Sequence, residues 1–163
     1  MLLIDGYNLL FKIRGFDPQR LPVERDRLVL RITRYCATTG IRTRIFFDPR
    51  RHGAAPYDRV RRKDKIEVVE LAEITADEAI LALVVENRDR TAYRVVSSDR
   101  EVAGTAEKRG FAAVASEDFL AELEDSERGV AREKPDGISA AEAEGWLREF
   151  GLGGKSDEAR GTP

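Results

Sequence analysis

A chain of 163 residues, 42% hydrophobic and 36% charged, can build one sizeable core, and none of its apolar runs nears the roughly 20 residues of a membrane span. One cysteine, Cys36, excludes an internal disulfide and suits a reducing cytoplasm; with one histidine, His52, it also excludes a Cys/His zinc site within one chain. The net charge of −2 hides a segregation, since Lys12 to Lys65 holds 16 Lys/Arg against 6 Asp/Glu and Glu67 to Glu127 holds 6 against 16. That pattern fits either an anion-gripping half beside an acidic half or two sets of solvated faces that interleave in space.

Met1 to Asp5 is an apolar run that closes on a carboxylate and turns at Gly6, which reads as a buried first strand with an acid at its carboxyl edge. No basic region precedes Leu2, so no signal peptide is expected. Asn8 to Ile13 reads as a short helix and Arg14 to Leu21 as a loop. Pro22 to Thr39 carries helical spacing, with Leu28, Ile32, Tyr35 and Cys36 on one stripe, and Gly40 ends it. Arg42 to Asp48 is a second strand, again closing on an acid. Pro49 to Lys65 reads as a long Arg-rich loop broken by Gly53 and Pro56. Its Arg50, Arg51, Arg59, Arg61, Arg62 and Lys63, interleaved with Tyr57, suit single-stranded nucleic acid: a base stacks while cations follow the backbone. A solvated loop is the plain alternative.

Ile66 to Leu71 is a third strand. Thr75 to Glu86 is a helix whose Thr75 and Glu78 stand in capping-box spacing, which puts Asp77 in the first turn. Tyr93 to Asp99 is a fourth strand closing on an acid. A helix over Arg100 to Arg109, a short fifth strand at Phe111 to Ala115 and a helix over Glu117 to Asp125 capped by Ser116 complete the domain, residues 1–125. Strands alternating with helices predict parallel crossovers and a three-layer α/β/α sandwich. Residues 126–138 read as a linker, 139–151 as a short amphipathic helix containing Trp146, and 152–163 as a disordered tail. Gly154, Lys155 and Ser156 lack the upstream glycine of a P-loop, since Glu149 stands there.

With the strands ordered 3-2-1-4-5 along the sheet, the first and fourth adjoin at the switch point. Asp5 and Asp99 then sit side by side, and Asp77 enters from the helix after the third strand. Two carboxylates about 6 Å apart repel by about 3 kcal/mol at an effective dielectric near 20. A divalent cation relieves that repulsion. Magnesium takes oxygen ligands, one or two of them carboxylates, and leaves room for substrate phosphate. Ions held so activate water and steady a phosphodiester in transit.

Four motifs carry a family likeness: IDGYN at Ile4 to Asn8, FFD at Phe46 to Asp48, TADE at Thr75 to Glu78 and SSDRE at Ser97 to Glu101. In that order they resemble the NYN domain of the YacP-like group, within the PIN-like nuclease superfamily, over about Met1 to Asp125. The resemblance implies a Rossmann-like PIN fold and an endoribonuclease dependent on Mg²⁺ or Mn²⁺. It places the family's metal-site acids at Asp5, Asp77 and Asp99 and its orienting Asn at Asn8. Asp48 and Glu78 match positions expected to act as secondary ligands or to position water. Some relatives act on messenger RNA at the ribosome, so single-stranded RNA and the ribosome are the expected partners. A phosphatase of the HAD type needs a second Asp where Tyr7 stands, and a receiver domain needs adjacent acids after the first strand. The weightier alternative is an RNA- or ribosome-binding module with weak or lost nuclease activity.

Overall fold

The structure, a computed structural model, describes residues 1–49 and 58–133, together with Gly145 and Arg148. In chain order the strands are β1 (Leu2–Asp5), β2 (Thr43–Phe47), β3 (Arg59–Lys63), β4 (Ile66–Glu70), β5 (Arg94–Val96) and β6 (Ala112–Val114). The helices are α1 (Gly6–Phe11), α2 (Leu21–Thr39), α3 (Ala76–Glu86), α4 (Arg100–Lys108) and α5 (Ser116–Glu133), with a single 3-10 turn at Pro18–Arg20. They form one sheet in the order β3-β4-β2-β1-β5-β6. Every pairing is parallel except β3 against β4. The five parallel strands therefore run in the order expected from the sequence, and β1 pairs with both β2 and β5 at the switch point.

The strands that are buried on both faces are the continuous apolar runs. Leu2, Ile4, Ile45, Phe47, Ile66, Val68 and Val96 face one layer, made by α1, α2 and α5 through Leu9, Leu10, Leu28, Ile32 and Phe119. Leu3, Phe46, Val69 and Val95 face the other, made by α3 and α4 through Ala76, Ile80, Val84, Val102 and Ala106. Each fully buried Leu, Ile or Phe contributes about 1.5–3 kcal/mol. α2 is a two-sided anchor: Pro22 pre-sets its first turn, and Gly40 closes it at φ 75°, in the left-handed region that favours glycine.

Three expectations change. Arg59–Lys63 is not loop but the edge strand β3, paired antiparallel with β4 in the register Lys63↔Ile66 to Arg59↔Glu70. The turn between them is Asp64 and Lys65, with Asp64 at φ 50°, the positive φ that tight hairpins require and Asp tolerates. The last helix continues past Asp125 to Glu133, so residues 126–133 are helix rather than linker. The first helix starts at Gly6 rather than Asn8, because Asp5 itself caps it. Arg50, Arg51 and Tyr57 lie outside the described residues. So do the expected C-terminal helix around Trp146, apart from Gly145 and Arg148, and the tail.

Candidate active site

The site begins with the parity of β1. Leu3 belongs to the α3–α4 side of the sheet, and side chains alternate along a strand, so Asp5 turns to that same side at the strand's carboxyl end. The chain then bends into α1 at Gly6. A Cβ there would lie 2.8 Å from the Phe46 carbonyl oxygen and would run into the Phe47 ring. Only glycine lets α1 start this close to β2. Asp5 Oδ1 accepts the Asn8 amide at 3.0 Å and so fixes the helix start.

Asp77 comes to Asp5 from the first turn of α3. That helix is tied to the sheet by Asp48, whose Oδ1 accepts the Ala76 amide at 2.5 Å. Its cap is a full box: Thr75 Oγ1 accepts the Glu78 amide at 3.2 Å, and Glu78 Oε2 accepts the Thr75 amide at 2.8 Å. Glu78 is exposed and engaged in that cap. Asp99 lies beyond β5 and caps α4, Oδ1 accepting the Glu101 and Val102 amides at 2.8 and 3.1 Å. The cap is held in turn by buried Ser97, whose Oγ accepts the Asp99 amide at 3.1 Å.

Burial pushes the Asp5 carboxyl up to about 7, against the pull of the Asn8 amide, and the neighbouring charges of Asp77 and Asp48 push the same way. Asp77 is likewise raised, first by burial and then by the charges of Asp99, Asp48 and Glu101. Asp77 Oδ1 is buried, and the Asp77 carboxyl shares a hydrogen bond with that of Asp5, which holds it down against those pushes. Asp5 and Asp77 are thus the tight pair, and Asp99, expected beside Asp5, acts on Asp77 instead. Among the described residues, however, no group of three or more His, Cys, Asp or Glu is gathered closely enough to hold a metal ion. The capping bonds explain the difference. Asp48 and Asp99 each turn an oxygen to a helix amide rather than to a common point.

The donor set fits a hard cation. It is all carboxylate oxygen, one Asp77 oxygen is buried, and burial, then the neighbouring charges, raises Asp5 and Asp77. Two carboxylates with water and substrate phosphate suffice for magnesium. Asn8 connects the pieces: its Oδ1 accepts the Ser98 amide at 3.0 Å and the Ser116 hydroxyl at 2.7 Å, joining α1 to the end of β5 and the start of α5. Ser98 Oγ accepts the Ser116 amide at 2.9 Å and donates to Glu117, which pairs with Lys12 at 2.7 Å. Sequence reasoning gave Ser98 no role and Ser116 only that of a helix cap. The signal was there in the serines of the SSDRE motif, which stand where strand ends must be tied together.

The cations of the edge hairpin are largely paired. Arg61 reaches Glu70 at 2.7 Å, and Arg25 reaches the same carboxylate at 2.6 Å while lying 5.3 Å over the Phe47 ring. Arg62 and Arg44 both pair with Glu67. Arg59 is exposed at the carboxyl edge, opposite Glu70 in register, and Lys63 stands at the far end of β3.

The sheet, with its switch point and an acidic carboxyl edge, is that of a Rossmann-like α/β domain. The YacP-like NYN domain, a family of ribonuclease type, matches residues 2–147, and the chain belongs to that family. The match extends past Asp125, as α5 does. Two crystal structures of Rae1 (YacP) from Bacillus subtilis are similar to this chain. One, of a point mutant, is 26% identical with a TM-score of 0.64 and covers 91% of each chain. The other is 27% identical with a TM-score of 0.60, covering 93% of this chain and 92% of that one. Among curated proteins, none matches. Within the described residues no helix is long and apolar enough to cross a membrane.

Proposed function

We propose that the domain is a metal-dependent endoribonuclease that hydrolyses phosphodiester bonds of single-stranded RNA at the rim held by Asp5 and Asp77. The observation that carries this reading is the close pair of carboxyls at the switch point, buried Asp5 and half-buried Asp77, both raised first by burial and hydrogen-bonded to each other. A protein that only bound RNA would gain nothing from such charge beside a polyanion. Asp5 and Asp77 would hold Mg²⁺ or Mn²⁺, with Asp99 and Asp48 adding negative field from their caps. Bound there, the ion supplies an activated water and offsets the charge developing on the phosphate. Asn8 acts by position, holding α1, β5 and α5 in register so that Asp5 does not drift from Asp77. Arg59, with Arg50, Arg51 and Tyr57, is assigned to the incoming strand. Family likeness extends the substrate to messenger RNA at the ribosome, in the cytoplasm.

A binding module with lost activity is the second reading, favoured by the absence of a gathered three-acid group among the described residues. One experiment separates them. Purified protein and its Asp77→Asn variant are incubated with a single-stranded RNA and Mn²⁺, and cleavage and binding are both followed. The nuclease reading expects cleavage that EDTA stops and Asp77→Asn lowers by about a hundredfold or more, the scale for losing a transition-state charge stabiliser. Equal inertness of the two proteins, with RNA bound by both, leaves the binding module.

A further inference from the structure

On the α1 side of the sheet, across from the face to which Asp5 turns, stands an aromatic ladder that the catalytic reading does not use. Phe47, fully buried, meets the edge of Tyr7 at 5.1 Å between ring centroids. Tyr7 lies nearly parallel to Phe11, 5.8 Å away and 13° apart in plane. Phe11 in turn leans on Phe16 at 5.2 Å. The ladder rises from the core to the surface, where Phe11 is 58% exposed. Single exposed apolar residues are ordinary, and Val23, Val60, Ile74 and Val85 are such cases here. Phe11 differs from them in having a flat face, held in place by two neighbouring rings.

Its position is tied to the acids by covalent geometry. Asp5 caps α1 and Phe11 ends it six residues on, about 9 Å along the helix axis. Tyr7 rests on Phe47, the residue before Asp48. The local charge is favourable as well. Arg14, three residues on from Phe11, is exposed with no ion pair among the described residues, whereas Lys12 is already paired with Glu117. A neutral, rigid ring near an exposed arginine in sequence and one short helix from Asp5 has the parts that single-strand binding uses: stacking from the aromatic, backbone attraction from the cation.

We propose that Phe11 is a stacking platform for an unpaired base of single-stranded RNA flanking the phosphate at Asp5 and Asp77. The choice of partner rests on the nuclease reading. Because the platform is already ordered by Tyr7 and Phe16, stacking on it orders no mobile side chain. Every base has a π-face, so the platform sets register more than sequence, with purines favoured by their larger area.

Fluorescence anisotropy with labelled octa-adenylate in EDTA tests this for the wild type, Phe11→Ala and Phe11→Trp. Phe11→Ala is expected to weaken binding about tenfold, within the range seen for a lost base stack, with the salt dependence unchanged. Phe11→Trp is expected to keep the affinity, with its indole emission quenched on binding. A strand of equal length without bases should bind wild type and Phe11→Ala alike. The inference is overturned if Phe11→Ala binds octa-adenylate within about twofold of wild type, or lowers only the melting temperature, which would make the ring a packing element. It is overturned too if the wild type binds no RNA. Cleavage in Mn²⁺ is read in parallel. Wild-type cleavage with unchanged Phe11→Ala binding sinks the platform and leaves the nuclease, whereas a binding loss without any cleavage sinks the nuclease and leaves the platform.

Discussion

Asp5 keeps its proton in the folded chain at a pH where the unfolded chain would have lost it. Its carboxyl is ordinarily at 3.8 and stands at about 7 here, mainly through burial. A group raised in this way gives stability that is fully present below its unfolded value and is lost as pH rises through its folded one. Metal-free protein in EDTA should therefore lose stability from about pH 4 to about pH 7 on account of Asp5. Asp5→Asn keeps an oxygen for the Asn8 amide and removes the titration. At about pH 8 it is expected to raise metal-free stability by on the order of 1 kcal/mol, about 2–4 °C in Tm for a domain of this size. Added Mn²⁺ should raise Tm in the wild type and not in the variant. Melting curves of the two proteins across that pH range are the check. A gap that stays constant with pH would mean that Asp5 is only a cap.

At the scale of elements, one substitution at two glycines separates close approach from simple flexibility. Gly6 has the Phe46 carbonyl and the Phe47 ring where a Cβ would go, whereas Gly104 in α4 has nothing within 4 Å. Gly6→Ala should destabilise by about 1–3 kcal/mol, the cost of overpacking. It should also lower Mn²⁺-dependent cleavage, because α1 carries Asn8 away from Ser98 and Ser116. Gly104→Ala should stabilise by about 0.5–1 kcal/mol, since a helix interior favours alanine. Denaturant titration measures both, and equal signs would contradict the packing at β1. The parallel strands were legible because each is an apolar run closing on or near a turn. β3 was not: Arg59–Lys63 has one apolar residue, Val60, and its arginines look solvated until Glu67 and Glu70 are paired beside them. The acids were legible as strand ends. The direction of their oxygens was not, because it depends on amides elsewhere in the chain, such as that of Ala76 for Asp48.

Over the whole molecule, the basic and acidic halves of the sequence partly neutralise each other. Arg25 and Arg61 meet Glu70, Arg31 meets Glu127 at 2.8 Å, Lys12 meets Glu117, and Arg44 and Arg62 share Glu67. Glu67, Glu70 and Glu127 are half-buried and Glu117 is exposed, and the Arg61 and Arg25 guanidiniums hold the Glu70 carboxyl below its usual range against the upward push of burial. A cation held so contributes to the fold more than to a passing polyanion. Exposed Arg14 and Arg59 are better placed to release counterions from RNA. Arg14→Gln with Arg59→Gln should thus reduce the slope of log K against log salt by about 1.4, given about 0.7 per contact on single strands. Arg61→Gln with Arg62→Gln should leave that slope nearly unchanged and lower Tm, because Glu67 and Glu70 each lose a partner. Salt titrations of RNA binding, run beside thermal melts of both double variants, decide the matter. If the slope falls with the second pair while Tm holds, the hairpin arginines belong to the RNA surface after all, and their glutamate partners give way when the strand arrives.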